Sequence, residues 1–289
     1  MPAKAAALTV NDSHRIAPHP QTQRPKRRRL PVEWLPQQHG AWAMLFLPFI
    51  VGVVLRAQEG HFNVFALPLL LLWLVGYFAF YDLSMWLKAR NKTRYVRPLQ
   101  VYGGLSAVLA AVVLWLEPTL IQWGIVYAPL LGAGLWQAWK KDETALLGRV
   151  TTVIAACLIC AVTFSDGLFQ FVQGLPTDPA FQRAASATAL LTLYFIGTIF
   201  YVKTMIRERG EKGFLAYSIG YHAAITLLSV WAALTQGLSW LVPAFLFCTT
   251  LRACALPMIG PMRKKTITPK QVGITEFFFV LMLLFLLVR

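Results

Sequence analysis

The chain is poor in charge, and in acid above all. Its 289 residues include 12 Asp and Glu against 27 Lys and Arg, and charged residues amount to 13%, where an ordinary soluble domain has roughly 25%. That shortage excludes a conventional water-soluble fold. Histidine is scarce too. Its five copies are scattered, so neither haem nor a metal cluster finds its ligand spacing, and no cofactor is expected. The four cysteines, Cys157, Cys160, Cys248 and Cys254, all fall inside apolar runs. Cys157 and Cys160 form a CxxC, but with no His or charge beside it the pair reads as packing rather than redox or metal chemistry. No GxxxxGK[ST] is present to cradle nucleotide phosphates, and no strict polar–apolar alternation marks barrel strands. Residues 1–33 contain no apolar stretch and hence no signal-peptide core.

What the chain has is long apolar runs. Apolar residues make up 57%, and nine runs can be drawn, at roughly 40–56, 63–86, 99–116, 119–139, 145–164, 186–206, 214–235, 238–258 and 273–288. A bilayer crossing takes roughly 20 residues and must close its own backbone hydrogen bonds. The expected fold class is therefore all-α, a polytopic membrane bundle of nine transmembrane helices. The connections alternate between basic and nearly uncharged. The basic ones hold Arg24–Arg29, Lys88–Arg97, Lys140, Lys141 and Arg149, then Lys203–Lys212 and Arg263–Lys270; the others hold only Arg56, Arg183 and Arg289. Lys and Arg resist translocation, which puts the N-terminus in the cytoplasm and, after nine crossings, the C-terminus outside. Because the net charge of +15 sits in these loops and the tail, it points to anionic lipid headgroups, not nucleic acid. Residues 1–33 read as a disordered basic cytoplasmic tail, residues 34–289 as the membrane domain, and 165–185 as the longest external loop.

Depth gives a second pattern. Asp82 lies about one turn inside span two, His39 opens span one, and Lys203 ends span six with Arg207 four residues on. His222 and Arg252 lie about two turns inside spans seven and eight, and Glu276 one turn into span nine. All seven fall in the cytoplasmic half. Charge at membrane depth is costly and usually faces a wet cavity or another charge, so a cavity open to the cytoplasm is expected. Its sign is mostly positive: Lys203, Arg207 and Arg252, with Arg94 and Arg97 at the rim, stand against Asp82 and Glu276. Guanidinium forks suit carboxylates and phosphates, which makes an anionic head on an apolar tail the expected ligand. Blander roles stand beside these. Lys203 and Arg207 can snorkel to the interface, Asp82 can be a structural partner, and His222 a hydrogen-bonded core histidine. Arg252 is too deep for easy snorkelling and requires Asp82, Glu276 or a ligand anion nearby.

The stretches Gln37-Gln-His-Gly-Ala-Trp-Ala-Met44, Tyr201-Val-Lys-Thr-Met-Ile-Arg-Glu-Arg209 and Thr268-Pro-Lys-Gln-Val-Gly-Ile-Thr-Glu276 resemble signature segments of the bacterial YwiC-like membrane protein family, over about residues 34–289. The resemblance implies the bacterial cytoplasmic (inner) membrane and no particular reaction. More distantly, nine helices, an inside N-terminus, charged ends on spans two and six and the pair Arg97-Pro98 resemble the UbiA superfamily of intramembrane prenyltransferases. There, two aspartate-rich motifs hold magnesium and a prenyl diphosphate. On this sequence the first motif keeps only Asp82, with Met85 and Ala89 where carboxylates belong. The second is replaced by Lys203, Arg207, Glu208, Arg209 and Glu211. One aspartate among cations repels magnesium. What this resemblance implies is a UbiA-like fold with a pocket that neutralises an anion directly.

Three functions follow. The first is a UbiA-like protein binding an anionic amphiphile, isoprenoid- or lipid-phosphate-like, with Lys203, Arg207, Arg252, His222, Glu276, Arg94 and Arg97 as ligand-binding residues. Asp82 or His39 would position or deprotonate an acceptor in a transferase step. The second is a transporter for a small anion or metabolite, against which the outer half offers no matching polar set and the chain no inverted repeat. The third is a non-catalytic membrane assembly partner that docks through the basic loops.

Overall fold

A computed structural model describes residues 34, 36, 41–140, 146–262 and 267–289. The tail 1–33, His39 and the basic residues 263–265 lie outside the described residues. Among the described residues all regular structure is helical. The elements are α1 (Ala41–Gln58), α2 (Ala66–Lys88), α3 (Thr93–Leu116), a 3-10 turn (Pro118–Trp123), α4 (Gly124–Lys140), α5 (Leu146–Phe164), α6 (Leu168–Gly174), α7 (Pro179–Ile206), α8 (Lys212–Gln236), α9 (Leu241–Met262) and α10 (Pro269–Val288).

Helix boundaries follow local chemistry. Asp178 accepts the amide of Ala180 at 2.8 Å, with Pro179 in the first turn. Thr268 and Gln271 form a reciprocal capping box around Pro269, and Gly237, at φ 69°, closes α8 in the left-handed region. These are the residue types that satisfy orphan amides at an N-terminus and tolerate positive φ at a C-terminus. The Asp178-Pro179 signal also corrects the expected external loop at 165–185. That segment instead contains α6, and α7 begins at Pro179 rather than near 186.

Among the described residues, eight helical segments are long and apolar enough to cross a bilayer: α1, α2, α3, the 3-10 turn with α4, α7, α8, α9 and α10. Helix α5 meets that test only together with α6, from which it is bent by 80°. The nine expected spans thus resolve into eight plus this bent pair.

Helices α1, α5 and α7 form the centre, with Val51, Cys157, Cys160, Ala184 and Leu191 fully buried between them. The cysteines are free and packed. Gly52 allows the close approach of α1 to α5: a Cβ there would lie 2.0 Å from Thr163 Oγ1 and 2.2 Å from the Cys160 carbonyl oxygen. On one side α2 packs on α3 and α4; on the other α9 packs on α8 and α10.

Polar contacts identify the two ends of the bundle. At the far end, where α1 finishes, Arg56 binds Asp166 at 2.6 Å and the Phe164 carbonyl at 3.1 Å. Asn63 donates to the Thr163 carbonyl and Gln58 to that of Val288, both at 2.6 Å. Arg183 donates to the Arg289 carbonyl at 2.5 Å, and Thr119 to that of Asp166 at 2.8 Å. The last turns of α1, α5 and α10 therefore gather with the approaches to α4 and α7. At the near end Arg209 donates to the Met205 and Ile267 carbonyls, joining the end of α7 to the start of α10.

Candidate functional site

Helices α7, α9 and α10 bring a charged centre together inside the bundle. Arg252, only 5% exposed, pairs through Nη1 with Glu276 Oε1. The other carboxylate oxygen, Oε2, accepts from the hydroxyls of Tyr194 and Thr198, both at 3.1 Å. The guanidinium carbon stands 4.3 Å from the Tyr201 ring centroid and 4.6 Å from that of Phe279. Aromatic faces attract a cation that has left water, and Glu276 supplies the carboxylate such a cation needs. From the ends of α7, α9 and α10, a rise of 1.5 Å per residue puts Tyr201, Arg252 and Glu276 roughly 8–15 Å deep.

The pairing leaves part of the guanidinium unused. Among the described residues, Arg252 Nε and Nη2 are buried without a hydrogen-bond partner, and so is the Tyr201 hydroxyl. Nε and Nη2 form the side-on fork of the guanidinium, the edge that takes two oxygens of one carboxylate or phosphate.

His222, 1% exposed, stands beside this centre. Its Nδ1 lies 2.7 Å from the Ser218 carbonyl oxygen, which can only accept, so Nδ1 carries a proton directed at it. Gly197 makes room for it, since a Cβ there would sit 2.9 Å from Nε2. Next to it, Thr226 and Thr250 hydroxyls meet at 2.9 Å and tie α8 to α9.

The remaining expected site residues lie elsewhere. Lys203 Nζ is 3.4 Å from Glu208 and 4.5 Å from the Phe214 ring centroid, held locally near the end of α7. Arg207, which caps α7, is exposed, as are Arg94 and Arg97 near the start of α3. Asp82, 1% exposed, is on α2 among α1, α3 and α4, and among the described residues neither of its carboxylate oxygens has a hydrogen-bond partner. Among the described residues these groups are not gathered around one crevice. Arg252 is neutralised by Glu276, Arg207 faces outward, and Asp82 belongs to a separate helical group. Among the described residues, an apolar crevice of about 310 Å³ lies between α1 and α2, and a polar one of about 160 Å³ at the far end beside Arg56, His61 and Asp166. Neither is lined by an expected site residue.

Sequence reasoning missed Tyr194, Thr198 and Tyr201. Their spacing of i, i+4 and i+7 is the signal that places three hydroxyls on one face of α7. It also passed over Arg56–Asp166, whose partners stand 110 residues apart.

The family model described as YwiC-like protein matches residues 35–164. The chain is similar to "Uncharacterized protein YwiC" of Bacillus subtilis, 32% identical over 212 residues, covering 73% of this chain and 82% of that relative. It is also similar to an "Uncharacterized protein" of Haemophilus influenzae, 30% identical over 260 residues, covering 85% and 95% respectively. No solved structure matches the chain. These matches lend no support to the expected UbiA-like fold.

Proposed function

The chain belongs to the YwiC-like protein family, and we propose that it is a multi-pass membrane protein that binds the anionic head of an amphiphile at Arg252. The observation that carries this reading is the unpaired Nε and Nη2 edge of a guanidinium buried among aromatic rings. Glu276 removes the cost of an isolated buried cation and, by taking Nη1, leaves the two-pronged edge turned to another partner. The buried Tyr201 hydroxyl adds a donor within the same centre. A phosphate or carboxylate fits that set of donors. The sequence argues against magnesium-dependent prenyl transfer here, because the aspartates such chemistry uses are replaced near the end of α7 by Lys203, Arg207 and Arg209.

The accompanying topology is nine crossings with the N-terminus in the cytoplasm of a bacterial cell, a basic tail at 1–33, and basic connections against anionic headgroups. Odd parity is supported by the shared far end of α1 and α10, since two helices finishing together run in the same direction. With α4 starting and α5 ending at that end, α5 becomes the ninth span.

The test is native mass spectrometry of protein purified in mild detergent. A defined anionic adduct is expected on the wild type and absent from the Arg252→Met/Glu276→Gln double variant, which removes both buried charges together. An adduct retained by the folded double variant, or a folded wild type that carries and accepts no anionic amphiphile, sinks the reading.

A further inference from the structure

Asp82 takes no part in the Arg252 centre, yet a lone carboxylate buried this fully is strongly disfavoured unless a counter-charge meets it. Among the described residues, a set of aromatic rings on α1, α2 and α3 begins one turn away from it, at Phe78. Phe78 precedes Asp82 by one turn on the same face of α2. The Phe78 ring meets Trp42 of α1 at 6.2 Å and Tyr102 of α3 at 5.4 Å, in both cases edge to face. Tyr102 in turn meets Trp34 at 5.9 Å and donates to its carbonyl at 2.8 Å. All four rings are half-buried. A cluster of aromatic rings one helical turn from a carboxyl group is the chemistry that recognises alkylated ammonium groups.

The rings also lead somewhere. Trp42 stacks on Phe46 at 6.0 Å, and Phe46 lines the apolar crevice between α1 and α2 together with Ile50, Val53, Leu67 and Leu70. Ile50 and Leu67 are exposed, so the crevice opens sideways, where lipid chains surround a spanning helix. At about 310 Å³ it stands at the small end of ligand pockets and suits one alkyl chain rather than two. Because α1 and α2 are antiparallel neighbours, the crevice, the rings and Asp82 follow one another along a single face.

We propose that this α1–α2 face binds a single-chain alkylammonium amphiphile, with its cationic head at Asp82 among Trp42, Phe78 and Tyr102 and its chain in the crevice beside Phe46 and Leu70. A buried carboxyl group and an apolar crevice farther along the same pair of helices complement such a molecule at its two ends. The site is independent of the Arg252 centre and takes a ligand of opposite sign.

The experiment titrates purified protein in maltoside detergent with decyltrimethylammonium below its micellar threshold, read by native mass spectrometry and calorimetry. Decyl sulfate and tetramethylammonium serve as controls. One saturable equivalent is expected, with affinity at least tenfold weaker for tetramethylammonium and for the Asp82→Asn variant. Leu70→Trp, which fills the crevice and keeps the carboxylate, should weaken decyltrimethylammonium and leave tetramethylammonium unchanged. The Arg252→Met/Glu276→Gln variant should bind the probe as the wild type does, which separates this site from the other. Equal affinity in wild type and folded Asp82→Asn, as a carboxyl held neutral by its own proton would give, overturns the proposal. So does decyl sulfate binding that depends on Leu70 as decyltrimethylammonium does. Displacement of the probe by phosphatidylethanolamine nanodiscs but not by a long-chain amine overturns the single-chain occupant.

Discussion

Arg252 and Glu276 are each other's condition for being buried. Removing one partner of such a pair leaves an uncompensated charge, a loss of about 3–5 kcal/mol, whereas replacing both with apolar groups is often neutral. Arg252→Met is therefore expected to destabilise toward the lower end of that range, since Tyr194 and Thr198 still donate to Glu276. Arg252→Met/Glu276→Leu should recover most of the loss, and thermal unfolding of the four members of the cycle in detergent measures the coupling. A double variant destabilised by the sum of the two single variants would mean that the pair contributes little. That Arg252 needed a carboxylate or a ligand anion was legible in the sequence, because guanidinium cannot shed its charge. Which carboxylate it meets was not. Asp82 and Glu276 sit at similar depths, and only the packing of α9 against α10 rather than α2 chooses between them.

At the scale of the helices, apolar run length located nearly every element, because in a membrane each helix satisfies its own backbone and needs no partner to exist. It failed between 165 and 185, where Ser165-Asp166-Gly167 breaks the chain and α6 is too short to register as a span. The pairing of helices was the less legible part, since it depends on contacts such as Gly52 against Thr163 that carry no periodic signal. Gly52→Ala forces a methyl group onto the Cys160 backbone oxygen, which cannot yield, and overpacking of this kind costs about 1–3 kcal/mol. Gly148→Ala meets at 2.1 Å the far end of the Gln137 side chain, which can swing away. The expected outcome is a clear drop in the detergent unfolding midpoint for Gly52→Ala and a much smaller one for Gly148→Ala. Similar drops for both would show that α1 and α5 can separate without loss.

For the molecule as a whole, the alternation of basic and uncharged connections and the meeting of α1 with α10 at the far end argue the same parity from separate grounds. Single cysteines replacing Glu59, Glu211 and Arg289 test it, using a maleimide that cannot cross the membrane applied to intact cells. Labelling is expected at positions 59 and 289 and not at 211 until the membrane is opened. Labelling at 59 without 289 would give an even number of crossings and remove α5 from the count.

The close packing of α1 on α5 has a consequence in time. Thr163 reaches the Phe49 carbonyl across 114 residues of chain, and at a synthesis rate of roughly 5–20 residues per second the ribosome takes on the order of ten seconds to supply them. Throughout that interval α1 resides in the bilayer without the neighbour that will cover Gly52. Its nearly unbroken run of apolar side chains suits lipid during that interval as well as burial in the finished bundle.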